Sequence, residues 1–207
     1  MIIDSHCHLN MKEFDQDLDN VILNAKQNDI KGMLTISTNL EDVKNIKKIS
    51  ERYSNIWFSL GIHPNNVDKS YLNLNDLIDN NIKNKKFIGI GETGLDFYYK
   101  NYNKDLQIKS FINHINIARE LDLPVIVHTR SADTDTIRIL KNEYKRGKFR
   151  GLIHCFTASE QLAIEVLAIN FYISISGIIT FKNADNLRKI TKSIPIEKIL
   201  VETDAPY

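Results

Sequence analysis

Short apolar runs rich in β-branched residues alternate along this chain with runs whose apolar residues recur at helical spacing, from the first residues to the last. The spacing predicts strands over residues 1–8, 32–38, 56–60, 87–92, 124–128, 151–154, 171–176 and 199–204. Helical runs fall between them, the longest over 104–122 with Ile108, Phe111, Ile112, Ile115, Ala118 and Leu121 on one face. Thr38 and Glu41 stand at capping-box spacing ahead of the second helix. About 28 residues separate successive strand ends between His6 and Asp204, which suits a βαβ repeat. Strands apolar on both faces belong to parallel sheets covered by helices. The expected architecture is an α/β chain of eight strands with seven intervening helices, a (β/α)8 TIM barrel lacking the final helix. Residues 1–207 read as a single domain that stops after strand eight.

The chemically distinctive residues collect at strand ends. His6 and His8 close strand one, His63 follows strand three, and Glu92 closes strand four. His128 closes strand five, His154 strand six and Asp204 strand eight. Five of the six histidines lie at such ends, whereas His114 lies beside a helical apolar stripe and reads as structural. In a (β/α)8 barrel these ends converge on one mouth, where active sites sit. Period two along a strand turns His6 and His8 to the same side and Cys7 to the other. By the same alternation Cys155 turns away from His154. Four imidazoles and two carboxylates can seat two divalent cations. Only a carboxylate has two oxygens with which to bridge them, and Glu92, mid-chain, is the candidate bridge. Such a pair generates hydroxide near neutral pH and clamps both oxygens of a phosphodiester, with Asp204 as metal ligand and proton acceptor.

Bulk properties narrow the class. With 43% hydrophobic and 26% charged residues the chain is globular, and a net charge of +1 provides no field to hold nucleic acid by charge alone. Any nucleic acid must be gripped locally. No signal peptide and no membrane span are legible, and Cys7 and Cys155 form no disulfide pattern, so a cytoplasmic enzyme with reduced thiols is expected.

Six motifs in order, His6-x-His8, Gly61-Ile62-His63-Pro64, the run from Gly89 through Glu92 to Asp96, Val127-His128-Thr129-Arg130, His154-Cys155-Phe156 and Glu202 to Tyr207, resemble the TatD-type deoxyribonucleases, which are amidohydrolase-like metal-dependent hydrolases. The resemblance implies a TIM-barrel hydrolase that cuts DNA, single strands by preference, with 3′-to-5′ exonuclease action. It further implies that His6, His8 and Asp204 hold one metal, that His128 and His154 hold the other, and that Glu92 bridges. His63, Asp96 and Arg130 match positions lining the same mouth and are assigned to substrate binding. The resemblance implies magnesium-supported activity, whereas four imidazoles suit zinc, manganese or iron, so the metal stays open.

Three departures from the family pattern stand out. Ser131 occupies a position that is usually acidic, Ala158 one that is usually glycine, and the chain stops at Tyr207 where family members continue. An uncovered strand eight would be covered by a partner chain or by self-association. Two rival readings follow: a hydrolase of a small-molecule amide or ester, and a shortened non-catalytic barrel that binds nucleic acid or a partner. Tyr98, Tyr99 and Tyr102 follow strand four on the mouth side, where they can stack bases or pack the loop. The basic run of Lys141, Lys145, Arg146, Lys148 and Arg150 falls at the opposite end and reads as solvated surface.

Overall fold

A computed structural model describes residues 2–207, apart from the side chains of Ser70 and Asn73. Met1, expected at the start of the first strand, lies outside the described residues. Eight parallel strands follow one another in sheet order β1 to β8: Ile2–Cys7, Ile30–Ile36, Ile56–Leu60, Phe87–Asp96, Val125–Arg130, Gly151–Ile153, Tyr172–Ile175 and Ile199–Val201. Between them run α1 (Leu18–Gln27), α2 (Val43–Arg52), α3 (Leu74–Asp79), α4 (Lys104–Glu120), α5 (Asp133–Arg146), α6 (Glu160–Ala168) and α7 (Asp185–Ser193). This is the expected (β/α)8 barrel. The seam between β1 and β8 is bridged from both sides: Asp204 N–H donates to the His6 carbonyl at 2.9 Å, and His8 N–H to the Ala205 carbonyl at 2.8 Å.

Two apolar layers fix the strands. Phe58, Ile90, Phe111, Ile115, Val125, Ile153 and Phe171 belong to a continuous buried layer between sheet and helices. A smaller cluster joins Ile36, Ile126 and Leu152 with the partly buried Leu34 and Leu200. These residues come from β2, β5, β6 and β8, so this cluster fills the barrel interior beneath the mouth, as packed side-chain layers do in this fold.

Several boundaries differ from those read in the sequence. The first helical run breaks into a 3₁₀ turn at Lys12–Phe14 and the shorter α1. Ahead of α2 the cap is Asn39, whose side chain accepts the Glu41 and Asp42 amides while Asp42 accepts the Asn39 amide. Thr38 is instead held from outside the turn, its hydroxyl donating to Asp42 at 2.9 Å. Strands β4 and β5 run on to Asp96 and Arg130, which are register partners. β4 can approach β5 this closely because Gly91 and Gly94 have φ of +136° and +139°, and a Cβ on Gly94 would overlap the His128 carbonyl.

Candidate metal centre

A solvent-open cavity of about 580 Å³ occupies the mouth, and His8, His63, Glu92, Asp96, His128, Arg130, His154 and Asp204 all line it. His6 lies just beneath, fully buried, with its Nε2 3.2 Å from Nε2 of His8. All nine residues expected at the site therefore meet at one end of the barrel. Strands place most of them, but four lie beyond regular strand. His8, His63, His154 and Asp204 follow β1, β3, β6 and β8 by one to three residues. Asp204 reaches the mouth through a left-handed backbone with φ of 58°, a conformation that Asp tolerates better than most residues.

Glu92 sits at the centre. Its Oε1 is 2.7 Å from His154 Nε2, 3.0 Å from His128 Nδ1 and 3.6 Å from His63 Nε2. Its Oε2 is 3.4 Å from His6 Nε2 and 3.8 Å from His8 Nε2. On that second side Asp204 Oδ1 completes a set, 3.6 Å from His6 and 3.4 Å from His8. Donors bound to one cation at ~2.1 Å with tetrahedral angles stand ~3.4 Å apart, so the spacing of these four groups fits a first-row divalent ion. Each half of the Glu92 carboxylate thus faces its own group of imidazoles.

Hydrogen bonds fix which ring nitrogens are free. His8 Nδ1 donates to the Ile36 carbonyl at 3.2 Å, leaving Nε2 with its lone pair toward Asp204 and Glu92. His128 Nε2 donates to Asp96 Oδ2 at 3.3 Å, leaving Nδ1 free toward Glu92. Carboxylates and carbonyls behind an imidazole orient it as a ligand in this manner. His63 is the opposite case: its Nδ1 accepts the Asn65 amide at 3.1 Å, so the neutral ring carries its proton on Nε2, which faces Glu92. Although His63, Glu92 and His128 lie within ligating distance of one another, His63 in this tautomer has no lone pair to give them.

Charge in the centre is mutually dependent. Burial would raise the Glu92 carboxyl, yet the imidazoles of His154, His63 and His128 hold it well below the usual carboxylate range. Asp204 is likewise lowered against its burial, by His8, His154 and His6. Burial opposes protonation of His154, but Glu92 and Glu202 raise it well above the ordinary imidazole value. Burial lowers His63 to about 4. Asp96 is held at about 2 despite its burial, by His128, the Tyr98 amide and Asn65. The acids therefore keep their charge and draw cations or protons among the rings. Three groups of this set fall close enough to hold a metal ion: His6, His8 and Glu92; His63, Glu92 and His128; and His6, His154 and Glu202.

Glu202 is the residue the sequence reading left without a role. It is buried, its Oε1 accepts the Cys155 amide at 2.5 Å and faces His154 Nδ1 at 3.6 Å, and its Oε2 has no hydrogen bond. Its place two residues before Asp204, one strand period away, was the available signal. Asp96 differs from the other substrate candidates, because both its oxygens are engaged: Oδ1 by the Tyr98 amide, Oδ2 by Asn65 and His128. Arg130 is exposed, its guanidinium 3.7 Å from the Tyr98 ring centre and 5.6 Å from that of Tyr99. Cys7 turns away as expected, its buried thiol against the Leu34 carbonyl. Cys155 is among the residues lining the cavity, where β6 has ended at Ile153 and the residue has a φ of 42°, and its thiol lies 3.2 Å from Ser176 Oγ. The basic run is spent elsewhere, in ion pairs such as Lys141–Glu165 and Arg146–Glu143. Among the described residues no helix is long and apolar enough to cross a membrane.

Comparison with known proteins agrees with this geometry. The model of the TatD related DNase family matches residues 3–207. An uncharacterized metal-dependent hydrolase of Buchnera aphidicola is 44% identical over 216 residues, covering 100% of this chain and 81% of the relative. A protein of Shigella flexneri named 3′-5′ ssDNA/RNA exonuclease TatD is 31% identical over 208 residues, covering 100% and 79%. The crystal structure of YJJV, a TatD homologue from Escherichia coli K12, superposes with a TM-score of 0.89 at 25% identity, over 99% of this chain and 79% of that one. The chain belongs to the TatD-related DNase family of metal-dependent hydrolases.

Proposed function

We propose that this hydrolase cleaves phosphodiester bonds in single-stranded DNA, working from the 3′ end, with a pair of divalent cations at the mouth. One observation carries the reading: the two oxygens of Glu92 are divided between two imidazole groups, Oε2 3.4 Å from His6 and Oε1 2.7 Å from His154. In this reading His6, His8 and Asp204 would hold one cation and His128 and His154 the other, with Glu92 placed between the two groups. Bound divalent cations lower the pKa of water toward neutrality and neutralise charge on a phosphoryl group. The chain's own residues supply the rest. Asp204, held deprotonated and only partly covered, accepts the proton of the attacking water. His63, with its proton on Nε2, donates toward the substrate oxygens. Asp96, with no free oxygen, orients His128 rather than touching substrate, and Glu202 stands behind His154 in the same way. Arg130, braced by Tyr98 and free of any carboxylate among the described residues, is the rim cation for phosphate. The relative named as a 3′-5′ exonuclease of single-stranded DNA and RNA supports the choice of substrate and polarity.

The test is hydrolysis of a 5′-labelled single-stranded oligonucleotide with added Mg²⁺, Mn²⁺ or Zn²⁺. The expected product is a ladder shortened from the 3′ end, abolished by EDTA and by Asp204→Ala. Absence of cleavage with every cation, or full activity in Asp204→Ala, would overturn it.

A further inference from the structure

We propose that a second, uncharged cavity beside the metal centre is a nucleobase subsite, which holds the base of the nucleotide whose phosphate enters the mouth. The inference rests on the phosphodiesterase reading above and adds to it the group that the site recognises. This cavity measures about 280 Å³ and shares Asn65 and Tyr99 with the mouth, so the two lie side by side with these residues as their common wall. Their linings differ in kind. The mouth carries imidazoles, carboxylates and Arg130, whereas the side cavity is lined by asparagines, Gln107, two tyrosines, Pro64 and Val67, with no ionisable acid, base or imidazole. No charged side chain stands there to match a phosphate or a metal. A flat ring with amide-like edges does, because tyrosine faces stack on any base and side-chain amides match its donors and acceptors.

The walls are fixed in ways that leave the needed atoms free. Tyr102 stacks on Phe97 with ring centres 4.7 Å apart and 18° between planes. Tyr99 stands edge-on to Tyr98 at 5.2 Å and 86°, and Tyr98 in turn lies against Arg130. Gln107 is the rigid floor, since its amide is committed at both ends to the Asp96 backbone, at 2.9 and 3.1 Å. Asn103 accepts the Leu106 amide through Oδ1, the cap of α4, and its Nδ2 has no partner among the described residues. Asn65 donates through Nδ2 to Asp96 and keeps Oδ1 for a ligand. One free donor, one free acceptor and an aromatic ring thus belong to the lining of a cavity whose Tyr99 lies 5.6 Å from the Arg130 guanidinium.

Equilibrium titration of the intact protein with dAMP and with 2-deoxyribose 5-phosphate, under the same divalent cation, isolates the base. The expected result is tighter binding of dAMP by about tenfold or more, the span that stacking of one base supplies. Tyr99→Ala should remove most of that gap, its loss for dAMP exceeding any loss for the sugar phosphate that follows from the neighbouring Tyr98 and Arg130. Asn103→Asp retains the helix cap but loses the donor and adds a charge, so it should shrink the gap without unfolding the protein. Equal affinity for the two ligands, or a gap untouched by Tyr99→Ala, would overturn the subsite. Turnover of bis(p-nitrophenyl) phosphate separates the two claims. Failure of that turnover with the base preference intact removes the phosphodiesterase reading and upholds the subsite, and turnover without base preference removes the subsite alone.

Discussion

Asp4 and Thr203, 199 residues apart in sequence, lock the two ends of the barrel together: the Thr203 hydroxyl donates to Asp4 Oδ2 at 2.7 Å and its amide to Asp4 Oδ1 at 3.0 Å. Asp4 Oδ1 also accepts the His6 amide at 3.2 Å. One buried carboxylate thereby sets the spacing between His6 and Asp204, which face each other across the metal centre. Asp4→Ala strands the buried His6 amide and releases two donors of the exposed Thr203 to solvent, at a cost of about 1–3 kcal/mol, the range typical of one unsatisfied buried group. Thr203→Val removes a single hydroxyl and should cost about 1 kcal/mol. Urea unfolding checks both, through a lower midpoint at unchanged slope. An unaltered midpoint in Asp4→Ala would show that the seam closes without this contact.

Glu202 should matter through His154. Groups behind a metal-ligating imidazole typically contribute about 10–100-fold to metal affinity or activity. Glu202→Gln keeps the volume and the oxygen for the Cys155 amide, but removes the charge that raises His154. Metal affinity in Glu202→Gln should therefore fall by about tenfold or more with little change in fold. Competition against a chromogenic chelator measures it, and wild-type affinity would contradict the role.

His114 gives a pH-dependent stability independent of the metal centre. It is fully buried in α4, its Nδ1 donates to the Ser110 carbonyl at 2.7 Å, and its Nε2 accepts the Ile62 amide at 3.1 Å. Burial lowers it from 6.5 to about 4, so the folded chain prefers the neutral ring. Between those values the unfolded chain binds more protons than the folded one. Stability is fully present above about pH 6.5 and is lost as pH falls toward 4. The loss from this one residue is on the order of 3 kcal/mol. Thermal melts of wild type and His114→Gln from pH 7.5 to 4.5 should converge as the pH falls. Parallel curves would assign the acid sensitivity elsewhere.

Much of the fold and of the site was legible in the sequence, for a physical reason. Strands buried on both faces, alternating with one-sided helices, specify a parallel α/β sheet, and eight such units suit a closed barrel. That barrel then gathers His6, His63, Glu92 and His128 because each lies in or just beyond the C-terminal half of its strand. What resisted reading was whatever depends on backbone outside regular strand. Cys155 adopts a left-handed backbone just past β6, and Asn39 rather than Thr38 caps the turn before α2. Glu202 and Asp96 lie behind His154 and His128, a relation set by side-chain contacts between distant strands that spacing along the chain does not encode.

The most direct measurement of the central claim is metal stoichiometry together with activity in Glu92→Ala. After saturation with Mn²⁺ and removal of free ion, elemental analysis should find about two equivalents in the wild type. Glu92→Ala should retain no more than about one, with nuclease activity lost. Two equivalents and undiminished cleavage in Glu92→Ala would contradict a carboxylate shared between two cations.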